Sequence, residues 1–422
     1  MKHHVRILSF CLMATLNLLA QKIVTFDIEI PQNTVEERNP DKIGKGVNVP
    51  VSVNLDALTF LSENELSLVE IVGNKSVPTL FQISQSENRL LHWLIKPDKK
   101  GTTKRIFQLN QGKAAQTTPM RAVNKDGALT IQSNNHDLLR YVYKTVYPPQ
   151  GVDTAFKRSG FIHPLWSPKG QVLTRIQPPD HYHHYGIWNP WTHVLFEQDT
   201  VDFWNLKDRK GTVRFAKFAS ITEGGVFAEY QTLHEHVAFK KDGSEKVAMN
   251  EMQTVRVYRP DDDADYYIMD FTSTLSCASQ SPVKILEYRY AGLGWRTTEK
   301  WDNKNSEVLT SEGKNRKESD GSNARWCIVQ GAIDEAYAGA VMMSYPANYN
   351  HPEPLRIWPE NQYNRGDMYA MFAPTKNKDW LLEPGKVYTL RYRWLVFNGK
   401  MTKETAEAAW QGFAHAPKIM IR

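Results

Sequence analysis

Short stretches in which apolar and polar residues alternate recur along almost the whole chain, and they limit the fold more than any other feature. Alternation with a period of two places successive side chains on opposite faces of a strand, whereas an amphipathic helix needs a period near 3.6. Clear examples are residues 25–30, 254–258 and 387–394, and the aromatic-rich stretch 266–271 also predicts a strand. Helical periodicity is nearly absent before residues 402–413, where Thr402 can cap a helix. The sequence therefore predicts an all-β protein with a short C-terminal helix.

Turn signals divide the alternating stretches into two groups. In residues 21–115 they are short and separated by turn-forming clusters, which predicts an N-terminal β-sandwich module. A polar stretch at 111–125 then predicts a linker. Residues 125–422 contain longer strands without alternating helices, which favours one large two-sheet sandwich that ends in the helix.

The first twenty residues differ from the rest of the chain. Lys2 and Arg6 precede an apolar run from residue 7 to residue 19, and Ala20 offers a small-residue cleavage point. This pattern is typical of a secretory signal peptide, and the run is too short for a confident membrane span. We therefore expect residues 1–20 to be a signal peptide and the mature protein to be periplasmic or secreted, with no membrane span. A retained N-terminal anchor is the alternative.

Charge and cysteine content narrow the classes of partner. The formal net charge is +6, and the chain lacks the long Lys/Arg stripes of a nucleic-acid binder. We therefore expect no nucleic-acid partner. Cys277 and Cys327 could pair in an oxidising compartment, and the sequence leaves that pairing open.

Residues 180–191 form the densest group of chemically active side chains. Histidine is the one side chain whose ordinary pKa lies in the physiological range, and it is a common metal ligand. If residues 180–185 are extended, His181 and His183 project to one face, whereas Asp180 and His184 project to the other.

Two kinds of chemistry follow from these imidazoles. His181 and His183 could bind a divalent metal with His163 as a third ligand, although no cofactor is required. Without a metal, an imidazole that Asp180 orients could act as general acid or base. A second His-x-His motif, His234-Glu235-His236, offers the same types of group. The structural alternative is that these histidines only bond to loops and stack in a sandwich.

Further side chains predict a sugar-binding surface. Trp188 and Trp191 could stack on sugar rings, and Arg296 could bind a carboxylate or hydroxyl. Other candidate substrate-binding residues are Tyr185, Glu312, Asn348 and His351. Core packing, ion pairing and solvated turns are the structural alternatives. The chain has no Gly-x-Ser-x-Gly, P-loop, dinucleotide-binding or His-Glu-x-x-His motif, which disfavours serine esterases, nucleotide enzymes and zincins.

These motifs resemble a family of exported bacterial proteins of unknown function that carries the label "methane oxygenase PmoA". The resemblance covers roughly residues 125–415 and is carried by FIHPL at 161–165, DHYHHYGIW at 180–188, DFW at 202–204 and SYPAN at 344–348. It implies a PmoA-like β-supersandwich core of the galactose-mutarotase type and a role in polysaccharide utilisation. It also implies a histidine acid and a carboxylate base acting on a sugar ring. The family commonly shows Arg where this chain has Tyr185, which implies a different sugar preference.

Taken together, these features predict an exported carbohydrate-active enzyme, either a glycoside hydrolase or a polysaccharide lyase, whose partner is a poly- or oligosaccharide. His183 or His184 would transfer the proton, and Asp180 would orient the imidazole. Arg296 would bind substrate, and Trp188 and Trp191 would form the stacking floor. The alternative is a non-catalytic glycan-binding protein of a polysaccharide-utilisation system.

Overall fold

The computed structural model describes residues 21–31, 42–43, 46–85, 87–97, 103–113, 117–261, 265–362 and 365–422. The predicted signal peptide at residues 1–20 lies outside them. Within these ranges, no helix is both long and apolar enough to cross a membrane.

The described chain is built almost entirely of β-strands, as the alternating sequence predicts. The strands of the first part are β1 (Gln21–Glu29), β2 (Lys42–Ile43), β3 (Val49–Asn54), β4 (Leu66–Val72), β5 (Lys75–Thr79), β6 (Phe81–Gln85), β7 (Arg89–Ile95) and β8 (Lys104–Gln111). Those that follow are β9 (Met120–Lys125), β10 (Ala128–Ser133), β11 (His136–Val142), β12 (Phe161–Leu165), β13 (Ile187–Trp188), β14 (Val194–Phe196), β15 (Asp199–Val201), β16 (Gly211–Thr222), β17 (Phe227–Phe239), β18 (Glu245–Tyr258), β19 (Tyr266–Cys277), β20 (Val283–Ile285), β21 (Gly294–Arg296), β22 (Ser306–Thr310), β23 (Trp326–Ile333), β24 (Ala336–Ser344), β25 (Leu355–Ile357), β26 (Tyr369–Phe372), β27 (Trp380–Leu382), β28 (Val387–Asn398), β29 (Lys400–Met401) and β30 (Lys418–Ile421). Short 3-10 helices lie at Glu63–Glu65 and Thr154–Phe156, and the α-helix α1 spans Lys403–Ala414.

The N-terminal strands form two sheets that share one apolar core. The five-stranded sheet has the order β30-β1-β8-β4-β5, and the three-stranded sheet has the order β3-β7-β6. Phe26, Trp93 and Phe107 are buried between them, with aromatic ring contacts of 5.5 and 5.6 Å. The C-terminal strand β30 pairs with β1, so the end of the chain returns to the N-terminal sheet. The N-terminal five-stranded sheet therefore contains strands from both sides of the predicted division at residues 115–125.

Two eight-stranded sheets form the large sandwich that carries the candidate site. One has the order β25-β26-β21-β13-β12-β11-β10-β9, and the other has the order β16-β17-β18-β19-β28-β24-β23-β22. In β18, the stretch from Ala248 to Tyr258 alternates buried and half-buried residues almost strictly, because one face packs into the core. The main core includes side chains from both sheets, for example Ile131 and Val255. A four-stranded sheet, β15-β14-β20-β27, borders this core.

The helix α1 confirms the C-terminal prediction. The Thr402 side chain accepts a hydrogen bond from the backbone N–H of Thr405 over 3.2 Å, which caps the first turn. Ala406, Ala409 and Trp410 are buried against the sandwich. The helix is short because only this segment has an apolar face with helical spacing.

The two cysteines that the structure describes are free thiols. Cys277 is half-buried and its thiol donates to the Leu382 carbonyl over 3.3 Å. Cys327 is fully buried, and burial raises the pKa of its thiol to about 12. The pairing that the sequence leaves open is therefore not formed.

Candidate active site

Residues 180–184 form a compact turn, which we call the histidine turn. The backbone N–H of His181 donates to the Pro178 carbonyl over 2.8 Å, and that of His184 donates to the His181 carbonyl over 2.9 Å. Pro178 and Pro179 lack the N–H groups that a strand ladder needs, so the chain turns here instead of extending. The extended arrangement, which would separate the imidazoles onto two faces, is therefore wrong.

The turn brings its three imidazole rings together. The ring centroids of His181 and His184 are 4.7 Å apart, those of His183 and His184 are 4.6 Å apart, and those of His181 and His183 are 5.3 Å apart. His184 is buried, whereas His181 and His183 are half-buried. A ligand at the surface would therefore meet His181 or His183 before His184.

Asp180 and His181 form a hydrogen-bonded dyad. The Asp180 Oδ2 atom lies 2.8 Å from His181 Nδ1, and 33% of the Asp180 side chain is exposed. Burial raises the pKa of Asp180, but the His181 hydrogen bond and the nearby Arg296 charge lower it further, to about 2. With Nδ1–H donating to this carboxylate, Nε2 carries the lone pair that a general base needs.

Arg296 joins two carboxylates at the site. It ends β21, is only 1% exposed, and contacts Asp180 Oδ2 through Nη2 at 3.6 Å. The same nitrogen forms a closer ion pair with Asp367. The guanidinium also lies 4.6 Å from the centre of the Trp358 ring, a favourable cation–π position. Arg296 is buried and already contacts two carboxylates, so the structure gives this residue a holding role in place of the predicted substrate contact.

Asp367 is a candidate functional residue that sequence reasoning misses. It also contacts Arg175 over 3.3 Å and Arg365 over 2.7 Å. No motif surrounds it in the sequence, and only the pairing of β21 with β26 brings its neighbourhood to Arg296. Asp367 can therefore be identified only from the three-dimensional structure.

Buried aromatic rings form the inner wall of the site. Around His184 they lie 5.1 Å away at Trp188, 5.6 Å at Trp358, 5.3 Å at Tyr369 and 6.0 Å at Trp204. Each of these four aromatic side chains is at most 2% exposed. The wall therefore shields His184 from water and leaves no open ring face on this side.

Burial keeps the inner imidazoles neutral. It is the main cause that lowers the pKa of His183 to about 3, and the charges of His181, Arg158 and Arg296 add to the effect. The pKa of His184 is also well below its ordinary value, chiefly because the ring is fully buried. Neither ring carries the proton that a general acid needs near neutral pH.

Three predicted substrate-binding residues are core residues instead. Trp188 is 2% exposed, and Trp191 is fully buried 5.7 Å from the Trp380 ring. Neither ring has a free face, so the predicted stacking floor is corrected to a packing role. Tyr185 is also fully buried; its hydroxyl donates to the Phe156 carbonyl over 2.5 Å.

His163 lines a groove beside the histidine turn. The groove has a volume of about 520 Å³, within the usual range for ligand sites. The His163 Nδ1 atom lies 2.9 Å from Thr174 Oγ1, and burial lowers the pKa of His163 to about 4. Arg175 also lines the groove and contacts Asp367, so the groove reaches the ion pairs of the site. Other lining residues include Gln177, Pro178, Pro179, Thr298, Glu299 and Lys300.

Asn348 and His351 belong to a different cluster, built around the buried carboxyl of Glu353. Asn348 Nδ2 donates to Glu353 Oε1 over 2.8 Å, and Ser344 Oγ lies 3.1 Å from His351 Nδ1. Burial raises the pKa of Glu353 to about 7 against the effect of its hydrogen bonds. These contacts hold a loop against β24 and β28. Glu312 is an exposed turn residue whose carboxylate accepts from Ser311 Oγ over 3.1 Å.

The second His-x-His motif lies inside the sandwich. His236 Nε2 is 3.0 Å from Glu251 Oε2, and both side chains are fully buried. Tyr141 OH lies 2.5 Å from His234 Nε2. Glu235 points to the opposite face, where Arg214 binds it over 2.9 Å. The motif therefore serves the core, and its carboxylate partner comes from β18.

The described residues contain no group of three or more histidine, cysteine or acidic side chains arranged to hold a metal ion. The Asp180 carboxylate and the His181 imidazole are hydrogen-bonded to each other. A divalent metal at His181 and His183 therefore stays a sequence prediction.

Acid should destabilise this fold because several buried histidines stay neutral. Burial is the main cause of the lowered pKa at His92, His163, His183, His184 and His234. Below about pH 6.5 these histidines bind protons in the unfolded chain but stay neutral in the folded protein. The free energy of unfolding therefore falls as pH falls towards 4. Each histidine contributes at most about 1.4 kcal/mol per pH unit. Glu353, with its raised pKa, acts in the opposite direction.

Melting temperatures between pH 7 and pH 4 measure this effect. We expect them to fall steadily over that range, and His92→Gln should make the fall less steep. His136→Gln, at an exposed position, is the control. A melting temperature that does not change with pH would show that these histidines are protonated in the folded protein.

Comparison with known proteins gives a family and weak matches to solved structures. Residues 128–411 match the family described as "Family of unknown function (DUF6807)". That description carries no methane-oxygenase label, so the PmoA label has no support here. No curated protein matches the chain.

Among solved structures, the chain is similar to the GH36 alpha-galactosidase AgaA of Geobacillus stearothermophilus. A single-residue variant of that enzyme in complex with 1-deoxygalactonojirimycin gives a TM-score of 0.33 at 12% identity, covering 68% of this chain and 42% of that one. The enzyme without the substitution gives 0.31 at 11% identity, covering 67% and 41%. The match thus spans about two fifths of the galactosidase, and at these TM-scores it carries no argument about activity.

Proposed function

The chain belongs to the DUF6807 family of unknown function, so its activity has to follow from its own side chains, and we propose that it is an exported enzyme that processes glycans. In this proposal His181 transfers the proton and Asp180 orients its ring. The Asp180–His181 hydrogen bond of 2.8 Å is the observation that carries the proposal. It replaces His183 and His184 in the proton-transfer role, because burial keeps those rings neutral and His184 is shielded.

The carboxylates favour hydrolysis over elimination. Glycoside hydrolases use two carboxyl groups that flank the scissile bond. Asp180 and Asp367 both contact the Arg296 Nη2 atom, so two carboxylates lie side by side at the site. We therefore propose a hydrolase in which the Asp180–His181 dyad transfers the proton and Asp367 is the second carboxylate.

A glycan suits the surroundings of the dyad. The neighbouring groove is lined by hydroxyl, amide and charged side chains, among them Thr174, Gln177, Thr298 and Lys300, which can bond to sugar hydroxyls. Half-buried Tyr182 adds an aromatic ring within the histidine turn itself. Two facing eight-stranded sheets fit the galactose-mutarotase-type supersandwich that the family resemblance implies. Export and a role in polysaccharide utilisation rest on the N-terminal sequence and that resemblance.

Incubation of the full chain with a panel of neutral and acidic plant and algal polysaccharides tests the proposal. We expect product fragments in which each broken bond has gained one water. His181→Gln should abolish their release, whereas the exposed His136→Gln should not. Unsaturated fragments that absorb in the ultraviolet would contradict hydrolysis and indicate a lyase. Tight glycan binding without any product would contradict the enzyme and indicate a glycan-binding protein.

A further inference from the structure

Arg158 is a buried cation that has no carboxylate partner among the described residues. It is 3% exposed, and its Nη2 atom donates to the carbonyl oxygens of Phe203 over 2.8 Å and Trp204 over 3.4 Å. Its Nε atom is buried and has no hydrogen-bond partner within the described ranges. Asp202 affects Arg158 only through space, since its carboxylate accepts the backbone N–H groups of Trp204 over 2.8 Å and Asn205 over 3.0 Å.

Other buried arginines show how unusual this arrangement is. Arg356 binds Asp320 over 2.9 Å, and Arg393 binds Asp270 over 2.6 Å. Arg316 has no ion pair in the described part of the chain, yet its Nε and Nη2 atoms donate to several backbone carbonyls at 2.7–2.9 Å. Arg158 has no ion pair with the described residues, and its carbonyl contacts come from Nη2 alone, at 2.8 and 3.4 Å. A buried guanidinium in this state costs free energy unless an anion joins it.

The position of Arg158 connects it to the histidine turn. Burial is the main cause that lowers the pKa of His183, and the positive charge of Arg158 adds to it. Trp204, whose carbonyl Arg158 binds, lies 6.0 Å from the His184 ring. Phe156, two residues before Arg158, lies 6.4 Å from the His183 ring and partly covers it.

Residues 147–157 form a loop that leads directly into Arg158. Backbone hydrogen bonds between Val146 and Arg158, of 2.8 and 3.0 Å, close the ends of the loop. Loops of this kind, with ends close together and packed side chains, frequently serve binding sites. Because Arg158 is only 3% exposed, a sugar reaches its guanidinium only if neighbouring side chains move.

We propose that Arg158 recognises the anionic group of a sugar bound at the histidine turn, either a uronate carboxylate or a sulfate ester. The planar guanidinium can bind both groups through two parallel N–H donors. This inference rests on the proposed function and adds a substrate class to it: an acidic glycan. It assigns to Arg158 the anion contact that the sequence suggested for Arg296.

Binding of small sugars to the full chain tests this assignment. The probes are D-galacturonate, sulfated galactose and D-galactose, which separate carboxylate, sulfate and neutral ligands. We expect titration calorimetry to show binding of at least one anionic probe and weaker or no binding of galactose. Arg158→Met should weaken the anionic probe by about tenfold to a hundredfold, the usual range for hydrogen bonds to a charged group. Arg121→Met, which removes an exposed guanidinium on β9, should leave affinity unchanged.

Arg158→Lys keeps the proposal testable if the methionine variant does not fold. Lysine keeps the charge and loses the planar donor pair, so an intermediate affinity is expected. Equal affinity of Arg158→Met and wild type, equal binding of galactose and the anionic probes, or no binding of any probe would overturn the proposal. None of these results shows whether product release depends on His181. The proposed function is therefore tested separately, by the His181→Gln variant.

Discussion

Replacing Asp180 with Asn is expected to lower kcat on a cleaved glycan by about 10²–10⁴-fold, the usual contribution of a positioned acid–base group. The carboxylate accepts the His181 Nδ1–H, whereas the amide nitrogen of Asn would favour the wrong tautomer. Because the pKa of Asp180 is about 2, the carboxylate is ionised throughout the neutral range, so the loss should not vary between pH 5 and pH 8. Steady-state kinetics over that range measure it.

Asp137→Asn is the matched control for this variant. Asp137 is exposed on β11 and accepts a hydrogen bond from Gln132 Nε2 over 2.7 Å. We expect its kcat and KM to equal those of the wild type. A wild-type kcat for Asp180→Asn would contradict the role of the dyad, and a rise in KM alone would assign Asp180 to binding.

The largest loss of stability is expected for Glu251→Gln in the sandwich core. Glu251 accepts hydrogen bonds from Ser273 Oγ over 2.6 Å and Asn189 Nδ2 over 2.5 Å, and it pairs with His236. Glutamine has the same shape but turns a donor towards buried donors, so the free energy of unfolding should fall by about 3–5 kcal/mol. Denaturant unfolding measures this change.

Glu235→Gln supplies the comparison for this substitution from the same pair of strands. Glu235 faces the opposite side of β17 and pairs with Arg214, where both side chains are more than a quarter exposed. An exposed pair is worth roughly 0–1 kcal/mol, so this variant should be nearly as stable as the wild type. Equal losses in the two variants would show that the buried Glu251 pair does not stabilise the core.

The fold class follows from local sequence because its signals are local. Alternating stretches at residues 254–258 and 387–394 lie inside β18 and β28, and Thr402 caps α1 as its position predicts. The return of β30 to the N-terminal sheet is not predictable in this way, because pairing between chain ends leaves no local pattern. Local sequence patterns thus predict the individual strands and the helix. Which strands pair with each other depends on distant parts of the chain and follows only from the structure.

The candidate site is less predictable because it depends on burial and distant partners. The histidine cluster is visible in the sequence, and Asp180 and His181 are neighbours in it. The sequence around Trp188 and Trp191, however, does not tell whether these side chains line a groove or fill a core. Only the packing seen in the structure distinguishes the two cases. Asp367 comes from a distant part of the chain. Arg296 forms ion pairs, whereas Arg158 forms none with the described residues, and no local sequence pattern predicts this difference.

Glycan turnover and glycan binding by His181→Gln, measured on the same substrate, test the central proposal most directly. If His181 transfers the proton, the variant should bind the glycan as tightly as the wild type and release product about 10²–10⁴-fold more slowly. Titration calorimetry gives the affinity, and product analysis of the same preparation gives the rate. Product release at the wild-type rate would contradict proton transfer by His181 and move the chemistry away from the histidine turn.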